Sequence, residues 1–121
     1  SNLTEKPLKA LASMIGNENC IIIGRCGNYI FRDRKDLISL FLKGGVEERI
    51  AAIVHEEHLS YEEAKEFVVH TDDCREAYHQ YYTQLKWGNA QDYDLCLDSV
   101  RLGTEKTALL IEQYIHEINC R

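Results

Sequence analysis

The chain has 121 residues, 14.0 kDa, fourteen basic and twenty acidic side chains and a net charge of −6. At 45% hydrophobic and 28% charged residues it has globular composition, which excludes a disordered or low-complexity chain. No apolar run approaches the roughly 20 residues a membrane span needs, and the acidic balance argues against DNA or RNA, whose affinity comes from phosphate neutralisation.

Leu8, Leu11, Ala12 and Ile15 recur at helical spacing and predict a helix over 4–15, with Thr4 as N-cap, Pro7 in the tolerated first turn and Gly16-Asn17 as the stop. Cys20–Gly24 is a short β-branched run, read as a strand buried on both faces as in parallel sheets. Leu37–Leu42 is a second strand of that kind, ending at Gly44-Gly45. A helix over 46–58 follows, with Val46, Ile50, Ile53 and Val54 on one face. Ser60-Tyr61-Glu62-Glu63 is a capping box that opens a helix over 61–70, burying Ala64, Phe67 and Val68. Thr71-Asp72-Asp73 recaps the chain into a separate helix over 72–84 that carries Tyr78, Tyr81 and Tyr82. Trp87-Gly88-Asn89 marks a loop, Tyr93–Asp98 a third strand, and Gly103-Thr104 the start of a last helix with Ala108, Ile111, Tyr114, Ile115 and Ile118 on its face. Three short strands among helices make an α/β pattern with a mostly parallel sheet.

The five cysteines, at 20, 26, 74, 96 and 120, form no C-x-x-C and are odd in number. They read as thiols in a reducing cytoplasm, mostly as small apolar fillers. The chain opens Ser1-Asn2 without Met, so its natural start is expected elsewhere.

Three places carry candidate chemistry. Gly24-Arg25-Cys26-Gly27 follows a buried run, and in open α/β sheets ligands bind beyond the carboxyl ends of strands. Arg25 there can fork two hydrogen bonds onto a phosphate, or it is an ordinary surface arginine. Arg75, Tyr78 and Tyr82 share one helix face, which suits a phosphate or a base but equally a half-buried aromatic stripe with a solvated arginine. Asp98-Ser99-Val100-Arg101 ends the third strand, and with parallel strands Arg25, Lys43 and Asp98–Arg101 would be neighbours. His55 and His58 stand at i and i+3, not the i and i+4 of a zinc-binding helix, and read as a solvated helix end. No G-x-S-x-G and no G-x-x-x-x-G-K-[ST] occurs.

Taken in order, Ile21-Ile22-Ile23-Gly24-Arg25-Cys26, Tyr29-Ile30, Arg32-Asp33, Glu48-Arg49-Ile50, Ser60-Tyr61-Glu62-Glu63-Ala64, Thr71-Asp72, Arg75, Tyr78, Tyr81-Tyr82-Thr83, Lys86-Trp87-Gly88, Tyr93-Asp94-Leu95-Cys96-Leu97-Asp98-Ser99 and Arg101-Leu102-Gly103 resemble the cytidylate-kinase-like family. This is a branch of the nucleoside-monophosphate kinases with the P-loop fold. The resemblance runs from about Leu8 to Ile115. It implies a three-layer fold with a parallel sheet between helices, ATP and Mg²⁺ as cofactors, a nucleotide or other small phosphorylated ligand, and an arginine-rich lid, here about 59–92, that closes over the nucleotides. It implies that Arg25 and Arg75 act in catalysis. It also implies that Arg25, Arg49, Asp72, Arg75, Tyr78, Lys86, Asp98 and Arg101 hold substrate or phosphate. Where cytidylate kinases usually carry Asp after the Gly-Arg pair, this chain has Cys26.

The family's first strand and phosphate loop precede Leu8 and are absent from this sequence, so the 121 residues are expected to be one partial domain, not competent alone. That first strand lies between the strands that correspond to Cys20–Gly24 and Leu37–Leu42, which are therefore expected to be parallel but not bonded to each other. The leading expectation is a phosphotransferase. A non-catalytic phosphate-binding module of the same fold and an interaction domain without a small ligand are the alternatives. Because no ligand set of metal-binding spacing is present, EDTA is expected to leave the thermal midpoint unchanged. A drop of several degrees restored by Zn²⁺ would return His55, His58 or the cysteines to candidate ligands.

Overall fold

A computed structural model describes residues 2–15 and 18–120, so the stop expected at Gly16-Asn17 lies outside the described residues. Helix α1 spans Asn2–Ile15, which puts Thr4 inside the helix rather than at its cap. Helix α2 is one turn, Gly27–Ile30, and strand β1 is Leu40–Lys43. Helices α3 (Val46–Glu57) and α4 (Tyr61–Thr83) follow, joined by a three-residue link. A 3-10 turn (Ala90–Asp92) leads to β2 (Leu95–Asp98), then α5 (Ser99–Leu102) and α6 (Thr104–Asn119). Among the described residues no helix is long and apolar enough to cross a membrane.

The sheet among the described residues is two-stranded and parallel, with Leu40 opposite Leu95 and Lys43 opposite Asp98. The fold is thus mixed α/β. Parallel pairing agrees with the sequence expectation, but burial on both faces does not, since Leu42 is exposed. The best-buried core lies between two helices instead. Ile50 of α3 is fully buried against Ala64 and Val68 of α4, with Ile53, Val54 and Leu59 around them. The small Ala64 lets the helices approach closely, and full burial of one such aliphatic side chain contributes about 1.5–3 kcal/mol. Phe67, expected in this core, is exposed.

The capping box forms as read: Glu63 N–H donates to Ser60 Oγ at 3.2 Å and Ser60 N–H to Glu63 Oε1 at 3.3 Å. The break expected at Thr71–Asp73 does not form, and α4 runs 23 residues without interruption, about 35 Å at helical rise. Asp72 ends a helix only if its carboxylate turns back onto the backbone. Here Arg49 takes that carboxylate with two hydrogen bonds.

Among the described residues Cys20–Gly24 is not a strand, which corrects the expectation of three. A strand exists through its ladder, and no ladder joins this segment to β1. Ile21 and Ile23 are 92% and 89% exposed. The chain's accessible surface is 9380 Å², against about 6,700 Å² for a compact chain of this mass. Exposed apolar side chains contribute to the excess, among them Ile21, Ile23, Met14 and Leu109.

Beyond the helix core, the sheet is held by rings. Phe41 of β1 meets Trp87 edge-on at 5.2 Å and Tyr93 at 5.1 Å. Gly88 sits against this cluster at φ +81, where a Cβ would stand 2.9 Å from Phe41 Cζ. Gly88→Ala therefore adds left-handed strain and overpacking, together about 1–3 kcal/mol. The unfolding free energy is expected to fall by that amount, seen as a lower urea midpoint with an unchanged slope; an unchanged midpoint would mean that the loop shifts freely.

Candidate functional site

The inward stripe of α4 begins apolar, with buried Ala64 and Val68, and continues polar, with half-buried Asp72 and then buried His79 and Thr83. The candidate site lies along this second half. Arg49, from α3, donates Nη1 to Asp72 Oδ2 at 2.8 Å and Nη2 to Asp72 Oδ1 at 2.6 Å. Both side chains are about three-quarters buried, at 26% and 27% exposure. Arg75 stands one turn along α4, with Nη1 4.0 Å from Asp72 Oδ1, and is 60% exposed. One carboxylate thus faces two guanidiniums, Arg49 through two short bonds and Arg75 at 4.0 Å, so the three side chains carry a net positive charge with Arg75 open to solvent.

This group is anchored at the carboxyl end of β1. A Cβ on Gly44 would collide with Val100 and stand 3.2 Å from Arg49 Cδ. Glycine there lets α3 and α5 converge on the strand end. Lys43 and Asp98 are register partners, and Ser99 Oγ donates to the Lys43 carbonyl at 3.5 Å. Asp98 Oδ1 accepts from Arg101 N–H at 2.9 Å and caps α5.

The Gly24-Arg25-Cys26 turn reaches α4 from the other side. All three residues are left-handed, with φ of +70, +56 and +58, and two successive non-glycine residues there store about 1–2 kcal/mol each. The turn separates its side chains: Cys26 is buried and Arg25 is exposed. The Arg25 guanidinium lies 5.7 Å over the Tyr78 ring, and Tyr78 in turn packs on Tyr82 at 4.6 Å. Arg25 is therefore placed over α4, one turn beyond Arg75, rather than beside Lys43.

The structure thus joins Arg49, Asp72 and Arg75 in one group and Arg25 with Tyr78 in a second on the same helix. Lys86 is exposed in the turn after α4, whose carbonyl accepts Asn89 N–H at 3.4 Å, and Arg101 is exposed on α5. Neither is joined to the arginine groups. Among the described residues no three His, Cys, Asp or Glu side chains could hold a metal ion.

Sequence reasoning missed Cys26 with His79. Cys26 Sγ lies 3.9 Å from His79 Nδ1, and both residues are buried. Burial pushes the thiol pKa up, so it is a neutral S–H facing the ring and not an activated nucleophile. Burial also pushes His79 below the ordinary histidine value, with the Asp92 carboxylate opposing. His79 was legible as the continuation of the Ala64–Val68 stripe, had the helix been read as one piece.

A model of the cytidylate kinase-like family matches residues 1–101. The chain belongs to that family. All the arginine sites described above fall inside the matched stretch, and α6 lies beyond it. Among solved structures, an uncharacterized protein from Eubacterium ventriosum ATCC 27560 is similar, with a TM-score of 0.86 and 23% identity. The likeness covers 97% of this chain and 66% of that one, and at this identity it is a likeness of fold. No curated protein matches.

For this cytidylate kinase-like chain, buried His79 makes stability depend on pH. Its folded pKa is depressed, so the unfolded state takes the proton first as pH falls through about 6.5. Its contribution is full above that value and is lost as pH falls toward the lowered folded pKa. The urea midpoint is expected to drop between about pH 7 and about pH 5.5, and less so in His79→Gln. Equal drops in both proteins would place the pH dependence elsewhere.

Proposed function

We propose that this chain is the lid-bearing part of a P-loop nucleotide kinase of the cytoplasm, which moves a phosphoryl group from ATP to a nucleoside monophosphate or similar small acceptor. The observation that carries the reading is the Arg49–Asp72–Arg75 group, with its excess positive charge beside the carboxyl end of a parallel strand. Phosphoryl transfer needs positioning and charge neutralisation more than covalent chemistry, and Arg provides both, being always charged and forked. Family membership supports the reaction class. The exposure of Ile21 and Ile23 and the greater length of the solved relative support a first strand and phosphate loop outside these residues.

In this reading Asp72 does not touch the substrate. It holds the Arg49 fork in place and leaves Arg75 free to meet the transferring group. Arg25, resting on Tyr78, takes the acceptor phosphate. Closure of the α4 region, the lid of about 59–92, excludes water that would otherwise hydrolyse ATP. Mg²⁺ bound with the nucleotide would neutralise phosphate charge, a task that Arg25, Arg49 and Arg75 would share.

A second reading, a phosphate-binding module without transfer, is favoured by one feature. The side chain after Arg25 is a thiol buried against His79, not a group that can reach a pyrimidine or sugar. Calorimetry with CMP, AMP and ATP, followed by an ADP-release assay, separates the two.

Arg75→Ala in the natural full-length protein is expected to cut kcat at least about 10²-fold, since an arginine at the transition state is worth about 10³-fold or more. Its melting temperature should hardly move, because exposed positions usually change stability by less than about 0.5 kcal/mol. Arg75→Lys should recover part of the rate, keeping the charge but losing the fork. Lost stability with normal turnover would make Arg75 a structural ion-pair residue and end the lid assignment.

A further inference from the structure

The Gly24-Arg25-Cys26 turn meets α4 residue for residue. Arg25 lies over the Tyr78 ring, and its neighbour Cys26 puts Sγ 3.9 Å from Nδ1 of the next helix residue, His79. All three turn residues are left-handed, a conformation that persists only where surrounding contacts over-determine it. Cys26 and His79 are each 5% exposed, so their contact is the interior anchor of the turn.

Two buried polar atoms have no hydrogen-bond partner among the described residues, His79 Nε2 and Asp92 Oδ2. The Asp92 carboxylate bears on the His79 ring through its charge. Its backbone is fixed on both sides, with the N–H donating to the Asn89 carbonyl at 3.0 Å and the carbonyl accepting from Ser39 Oγ at 3.1 Å. Tyr93 stands in the same neighbourhood, and burial pushes its phenol up, so it is uncharged.

Burial also keeps the His79 ring neutral and the Cys26 thiol protonated. A neutral imidazole carries one proton, on either nitrogen. With the proton on Nδ1, the ring would donate to sulfur, a weak acceptor, and Nε2 would hold a bare lone pair in the field of a carboxylate. With the proton on Nε2, the thiol donates to Nδ1, and the two unpartnered atoms become complementary, one N–H and one anionic oxygen. The second arrangement is electrostatically favoured.

We infer that Asp92, His79 and Cys26 form a positioning chain for Arg25: Asp92 holds the His79 proton on Nε2, Nδ1 accepts the Cys26 S–H, and the anchored thiol keeps the neighbouring guanidinium over Tyr78. The three act through Arg25 and touch no phosphate. The entry of β2 thereby governs the pose of an exposed arginine on a strained turn. The consequence for phosphoryl transfer rests on the reading of Arg25 as the group that takes the acceptor phosphate; the chain itself does not.

The test combines NMR and kinetics on the natural full-length protein. In a ¹⁵N-labelled sample above the ordinary histidine pKa, His79 is expected to show a protonated Nε2 and a bare Nδ1. The Arg25 side chain should show the upfield shift of a group over an aromatic ring. Asp92→Asn should lose the single tautomer and reduce the Arg25 shift. Cys26→Ala should also reduce that shift, and Cys26→Ser, which still donates, should keep most of it. With CMP and AMP as acceptors, Asp92→Asn and Cys26→Ala should raise the acceptor KM about threefold or more, the order of one hydrogen bond. The ATP KM and kcat should hardly change, whereas a merely destabilised enzyme loses kcat. In the Arg25→Ala background both substitutions should add nothing. A His79 proton on Nδ1 overturns the positioning chain, as does an Arg25 shift that Asp92→Asn and Cys26→Ala both leave intact. Effects on KM that add to that of Arg25→Ala overturn it too. An unchanged acceptor KM in Arg25→Ala instead sinks the phosphate reading of Arg25, and the ring proton and the Arg25 shift then decide the chain by themselves. Should a variant fail to fold, the tautomer of the unaltered protein decides.

Discussion

The Arg49–Asp72 ion pair is the contact on which the rest of the arrangement depends. It ties α3 to α4 at the end of the Ile50 core. Exposed ion pairs contribute about 0–1 kcal/mol. This one is two-pronged and about three-quarters buried, so loss of one partner would leave the other charge partly desolvated, which is far more destabilising than loss of a surface pair. The same contact keeps α4 unbroken by occupying the carboxylate that could otherwise cap a new helix. It also leaves Arg75, 60% exposed, at the 4.0 Å limit of an ion pair with the same carboxylate.

Helix α4 joins the apolar core to the charged groups. Its stripe of Ala64 and Val68 packs on α3, and one turn later the same stripe presents Asp72, followed by Arg75, Tyr78 and His79. A side chain placed by a rigid helix is held more closely than one on a loop. The strained turn at Arg25-Cys26 is pinned to the same helix from the far side, by the Cys26 thiol buried against His79 and by Arg25 over Tyr78. Backbone strain of this kind persists where surrounding contacts over-determine it, and here burial of one side chain of the turn holds out the other, which is charged.

The two ends of the short sheet differ in character. At the carboxyl end glycine at 44 lets helices converge and guanidiniums gather. At the amino end Ser39, Asp94 and Tyr114 form a closed hydrogen-bond network around a cavity. Two strands with so much apolar surface exposed make a modest platform. The α3–α4 core and the Phe41, Trp87 and Tyr93 rings account for its order.

Local features were legible in the residue order. Ser60 and Glu63 announced the start of α4, the spacing of Ile50, Ile53 and Val54 announced α3, and the apolar runs at Leu37–Leu42 and Tyr93–Asp98 announced parallel strands, though not their exposure. Motif order across the chain pointed to Arg25, Arg49, Asp72 and Arg75 as candidates, and the structure joins the last three. Tertiary structure decided the rest. Whether Cys20–Gly24 is a strand depends on a ladder partner, not on its β-branched side chains. Whether Thr71-Asp72-Asp73 breaks a helix depends on Arg49, 23 residues away from Asp72. Which of several arginines keeps an uncancelled charge depends on which carboxylates reach it across space. Capping, periodicity and turn chemistry act within a few residues along the chain and can be read there; ladders, ion pairs and pockets are made between distant segments, and only folding brings those together.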